Sequence, residues 1–65
     1  MKMKSDSIVW TVSRSEYCLE LKTKNANADE EDKAINLPEL GLFKKMSHLS
    51  QKYSERGYAV LFDVE

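Results

Sequence analysis

The sequence holds one cysteine, Cys18, and one histidine, His48. A lone cysteine excludes an intramolecular disulfide, and the two residues together cannot supply the four Cys or His ligands of a structural zinc site. The two glycines, Gly41 and Gly57, stand far apart. No glycine-rich turn therefore precedes a helix to cradle phosphate, and the order of elements leaves no room for a nucleotide-binding fold. Apolar runs are short as well: none approaches the ~20 residues a membrane helix needs. The first seven residues, MKMKSDS, are polar and charged, unlike a secretory leader, so the expected location is cytoplasmic, with no membrane partner. An excess of either charge is also lacking. Ten Lys and Arg against eleven Asp and Glu leave a formal net charge of −1, so no global field draws nucleic acid or membrane.

What is present is enough for one thin core. A chain of 65 residues makes a single domain, 1–65, that buries only about 60% of its unfolded surface. Its 42% hydrophobic and 32% charged residues place it with globular domains and not with disordered tails. A core this small without disulfide or metal is marginal, which makes a homodimer or a protein partner physically attractive.

The strongest periodic stretch is Pro38–Gly57, PELGLFKKMSHLSQKYSERG. At about 100° per residue, Leu42, Met46, Leu49 and Tyr53 share a narrow arc with Phe43 and Ser50 at its edge, while Lys44, Ser47, His48, Gln51 and Glu55 lie opposite. Pro38 suits the first helical position, Glu39 the positive end of the dipole, and Arg56 with Gly57 the end of the helix. Gly41 costs roughly 1 kcal/mol relative to Ala, so an ordered helix starting only near Leu42 is also consistent with the pattern.

Ile8–Ser13 and Tyr17–Lys24 read as the strands of a hairpin turning at Ser13–Glu16. Pairing Val12 with Tyr17, Trp10 with Leu19 and Ile8 with Leu21 puts six large apolar side chains on one face. Val9, Thr11, Cys18, Glu20 and Lys22 then take the other. Asn25–Asp32, NANADEED, has nothing apolar larger than Ala and reads as an exposed loop. Two readings of the next stretch compete. Lys33–Leu37 is a short strand antiparallel to the second, with Ile35 and Leu37 inward, or Asn27 caps a short helix with Asp29 to Asp32 at its start. The strand buries more and is preferred. Tyr58–Val64 is a strand with Tyr58, Val60, Phe62 and Val64 on one face and Ala59 and Leu61 on the other, a pattern suited to a central or partner-covered strand. The expected fold is thus α+β: a small antiparallel or mixed three- to four-stranded sheet, one helix packed on one face, in the order β-β-(β)-α-β. A right-handed crossing of the helix places the last strand beside the first.

No catalytic constellation survives this arrangement. His48 falls on the solvent side of the helix and Cys18 on the sheet's outer face, so a nucleophile–base pair does not form. Asn25, Asn27 and Asp29 match the first, third and fifth places of a calcium loop, but Glu30 and Asn36 stand where glycine and a bidentate glutamate are needed. The expectation is no enzyme, no metal and no cofactor. Lys44, Lys45, His48, Lys52 and Arg56 gather on one flank of the helix, with Lys2, Lys4, Lys22 and Lys24 able to extend it. This stripe is the basis for an alternative reading as a nucleic-acid-binding accessory, although such flanks are more often simply solvated and Glu55 interrupts this one. The leading reading is a non-catalytic protein–protein interaction module. Its candidate residues are Val9, Cys18 and Leu61 on the uncovered side of the sheet and the acidic loop Asp29, Glu30, Glu31 and Asp32, which would suit a basic partner. In its size and lack of staples the chain is similar to phage or mobile-element proteins that inhibit a host protein by occluding it. That likeness carries no site assignment.

Overall fold

The structure, a computed structural model, describes residues 6–24 and 26–65. Four strands form one mixed sheet: β1 (Ser7–Ser13), β2 (Cys18–Leu21), β3 (Ala34–Asn36) and β4 (Ala59–Val64). The spatial order is β3-β2-β1-β4, with β1–β2 and β2–β3 antiparallel and β4 parallel to β1. One helix, α1 (Glu39–Glu55), crosses between β3 and β4, and a single 3-10 turn covers Glu30–Asp32. The α+β reading and the placement of the last strand beside the first hold.

The core lies between α1 and one face of the sheet. Ile8, Trp10 and Val12 of β1 and Leu19 of β2 are buried against Leu42, Leu49 and Tyr53 of α1. Leu21, Ile35, Leu37, Met46, Val60 and Phe62 pack around them. The helix stripe forms as its spacing predicts, with Met46 half-buried and Phe43 turned outward. Pro38 is not the first helical residue but the cap before it, in extended conformation at ψ 159°. Its carbonyl accepts from the Gly41 amide at 2.9 Å, so the helix starts well before Leu42. Gly57 ends the helix at φ 96°, a conformation that costs a residue with a Cβ far more than glycine.

Three expectations need correction. The hairpin register is shifted by two: Trp10 faces Leu21, Val12 faces Leu19 and Ser13 faces Cys18. The turn occupies Arg14–Tyr17, and Tyr17, at φ 52°, leaves the strand and joins it. Because the shift is even, the inward set of β1 is unchanged, but Tyr17 is lost to the core. The new register is secured at its far end, where Lys22 N–H donates to the Val9 carbonyl and Val9 N–H donates to Thr23 Oγ1. The second correction concerns β4, which is an edge strand and not a central one, because the hairpin and β3 all lie on the other side of β1. Third, the loop before β3 is not simply exposed. Ala26 and Ala28 pack against the core and Asp32 is fully buried. Of the two competing readings the strand holds, as Ala34–Asn36, and the turn before it at Glu30–Asp32 is a single 3-10 turn capped at Asp29 and not at Asn27; Ile35 and Leu37 pack against the core as expected.

Leu49→Ala should cost about 3 kcal/mol, most of what so small a core supplies. Leu61→Ala, on the opposite face, should stay within about 0.5 kcal/mol of the parent. Urea titrations followed by circular dichroism measure both, and equal losses would mean the core is not where these contacts put it.

Candidate functional site

Lys45, Lys52 and Arg56 recur along one flank of α1, and the loop from residue 26 to Asp32 lies against that flank. Two tyrosine hydroxyls hold the loop backbone: Asn27 N–H donates to Tyr58 Oη and Asp29 N–H to Tyr53 Oη, each at 2.9 Å. The Trp10 indole N–H donates to the Asp32 carbonyl at 2.7 Å. Asp32 is 0% exposed, and its Oδ2 accepts from Lys52 Nζ at 2.6 Å and from the Tyr53 hydroxyl at 2.7 Å. Its Oδ1 has only the Lys45 ammonium, at 3.5 Å, longer than a well-formed charge-assisted hydrogen bond of roughly 2.8 Å. Asp29 takes both nitrogens of the Arg56 fork at 3.1 and 3.0 Å, and Lys52 at 2.8 Å. The Arg56 guanidinium also sits 4.7 Å from the centre of the Tyr53 ring.

These contacts set the protonation states. Burial pushes the Asp32 carboxyl up, but the Lys52 and Tyr53 hydrogen bonds and the Lys52 and Lys45 charges outweigh it, and the net direction is down. The hydrogen bonds from Arg56 and then Lys52 hold Asp29 down to about 2. Lys52 is pushed up by Asp29 and Asp32, and burial raises the Tyr53 phenol.

The two expected charged surfaces are therefore largely one internal cluster. Asp29 and Asp32 of the acidic set meet Lys45, Lys52 and Arg56 of the basic set. Asp32 is inaccessible and Asp29 half-buried, so neither is an open handle for a basic partner. Glu30 and Glu31 remain exposed, with Glu30 paired to Lys33 at 3.0 Å. Lys44 and His48 are exposed and have no charged partner among the described residues. Asn25, Lys2 and Lys4 lie outside the described residues. No three His, Cys, Asp or Glu side chains among the described residues converge as a metal site requires.

The sheet face away from α1 carries a smaller apolar surface than expected. Val9 and Leu61 are direct neighbours across β1 and β4. Beside them Lys22 reaches over β1 to Asp63, Nζ to Oδ2 at 2.9 Å. Cys18 is not part of this pair: it lies at the other end of the sheet, opposite Ser13 and Asn36. Burial and the neighbouring Glu16 and Glu20 carboxylates push its thiol up, away from the reactive thiolate.

An apolar surface runs along β4 and joins Leu61, a candidate from the sequence, to Phe43 and Val64, which the sequence did not single out. Phe43 is 66% exposed, Leu61 52% and Val64 50%. Phe43, Met46 and Phe62 help line a groove of about 490 Å³ between α1 and β4, and none of its seven lining residues is charged. The signal was present in Phe43, a large aromatic at the rim of the helical stripe. Its place beside a sheet edge was not legible, because the pattern of β4 suits a central strand as well as a partner-covered one.

Both aspartates titrate below their unfolded values, so their contribution is fully present above about pH 4 and is lost as the pH falls through the lowered values, about 2 for Asp29. Thermal melts should show the parent losing stability in that window. Asp32→Ala should be less stable by about 3 kcal/mol at neutral pH and lose less on acidification; parallel pH profiles for the two would show that the cluster does not support the fold.

No family model matches this chain, and no curated protein or solved structure is significantly similar to it, so the site rests on its own geometry.

Proposed function

We propose that this chain is a small, non-catalytic protein-binding module whose contact surface is the β4 side of the molecule. The observation that carries this reading is the coincidence of a strand edge left unpaired among the described residues with exposed Phe43, Leu61 and Val64 around it. A strand edge offers main-chain hydrogen bonds to an incoming segment, and the adjoining apolar side chains supply burial. Val9 extends this surface on the open face of the sheet. The acidic loop is not part of it, because Asp29 and Asp32 are engaged with α1.

Nucleic acid as the partner has less support. Of the five basic-flank residues, Lys45, Lys52 and Arg56 already face carboxylates, which leaves few cations to release counterions from a phosphate backbone. Occlusion of a host protein by such a module fits the same surface, since covering a partner needs complementary area and no chemistry.

Leu61→Glu combined with Phe43→Ser should leave the circular dichroism spectrum unchanged and abolish capture of proteins that the parent retains on a resin; an unchanged set of captured proteins would reject the β4 surface. Gel shifts of the parent with single- and double-stranded DNA and RNA should show no binding at low salt. A shift that weakens as salt rises and disappears in Lys44→Glu would favour the alternative.

A further inference from the structure

The identity of one partner can be argued from β4 itself, on the reading that its edge is a contact surface. Natural edge strands are blunted by shortness, lysine, proline or a bulge. β3, the opposite edge, is only three residues long. β4 has six residues, AVLFDV, without lysine or proline, and pairs with β1 in unbroken register from Ser7↔Ala59 to Val12↔Val64. Something other than solvent suits such an edge.

Its hydrogen-bonding groups have a definite phase. The amides of Ala59 and Glu65 donate to β1, to the carbonyls of Asp6 and Val12 at 2.8 and 2.9 Å. With the period of two along a strand, the amides and carbonyls of Val60, Phe62 and Val64 point to the free side. A second strand of the same sequence laid antiparallel about Leu61 puts Val60 opposite Phe62 of the other copy, and Phe62 opposite its Val60. Both are outward-bonding residues, as a hydrogen-bonded antiparallel pair requires, and Leu61 meets Leu61 in the close pair on the axis.

Chemistry agrees with this phase. A two-fold contact brings each patch against itself, so a patch of one charge repels its copy and a neutral apolar one does not. In a chain that is 32% charged, the groove beside β4 has no charged lining residue. The one charge on β4, Asp63, is already paired with Lys22. Antiparallel about Leu61, it falls opposite Ala59, and the two Asp63 residues stand four positions, or about 13 Å, apart. Sliding the pairing to centre on Phe62 would set Asp63 against Leu61 and bring the two carboxylates closer. The open face would instead carry one apolar row, Val9–Leu61–Leu61–Val9. A stable interface covers ~800 Å² per partner, more than a bare strand edge offers, so the exposed Phe43 on the helix flank must also be covered.

We propose that two copies of this chain associate through antiparallel β4–β4 pairing about Leu61, joining their sheets into one continuous eight-stranded sheet with both helices on the same side. Sedimentation equilibrium of the full chain should show the mass rising towards twice the single-chain value with concentration. Leu61→Lys, which sets two cations face to face on the axis, should stay a single chain with an unchanged circular dichroism spectrum. In a Cys18→Ser background, Leu61→Cys should cross-link to a dimer under mild oxidation, whereas Ala59→Cys should not. A parent that remains one chain at every concentration, or equal cross-linking of both cysteine variants, overturns the proposal. If the parent is always a single chain while the Leu61→Glu, Phe43→Ser variant still loses its captured proteins, self-pairing falls and the binding-module reading stands; if capture is also unchanged, both fall.

Discussion

The carboxylate of Asp32 is the constraint around which this small molecule closes. Taking a charge fully out of water is costly unless partners replace its hydration. Here Lys52 and Tyr53 reach one oxygen at 2.6 and 2.7 Å, while Lys45 stands off the other. The same residue's carbonyl receives the indole of Trp10, the central buried side chain of β1. One residue thereby links loop, helix and sheet. A loop whose only apolar side chains are alanines gains little from apolar burial, so directed hydrogen bonds do most to hold it.

This arrangement makes the helix asymmetric. Lys45, Lys52 and Arg56 turn towards Asp29 and Asp32, and the Tyr53 ring under Lys52 and Arg56 meets Trp10 at a tilt and Tyr58 edge-on, with centroid separations of 5.1 and 6.2 Å. That flank is closed by the chain itself. The opposite flank, from Phe43 past Met46 to Ser54, faces the β4 edge without a charge of its own. The helix therefore has one flank engaged by the chain's own carboxylates and one lined by uncharged side chains.

Much of the fold was legible because it depends on local periodicity. The stripe Leu42, Leu49 and Tyr53 and the alternation of Ile8, Trp10 and Val12 each have one way to reach a core, and both do so. The hairpin register was not legible, since a shift of two preserves every face. The turn geometry, with Tyr17 at positive φ, and the Val9–Thr23 bond at the far end distinguish the two pairings, and neither follows from the alternation. The charge cluster was illegible for a different reason: Asp32 and Lys52 are 20 residues apart, and each alone looks like part of a solvated run. Sequence gives the sign of a charge and its neighbours along the chain, whereas its partner across space depends on how the loop lies. Taken separately, the acidic loop and basic flank suggest two binding surfaces; in the structure they largely satisfy each other.

The edge position of β4 follows from chain order, and its consequences follow from the thin core. β1 already pairs with β2 on one side, so a strand returning parallel to it after α1 has only the other side left. It arrives last, bonds to one neighbour and buries Val60 and Phe62 only in part. A strand supported on one side is the element whose ordering gains most from a neighbour on the other, because anything that binds the folded form alone adds to its stability. The clamp at Asp32 secures the opposite flank of α1 and does little for this one. On the proposed pairing, completion of β4 by another strand supplies what the chain's own contacts leave weakest and would link the stability of the fold to that association.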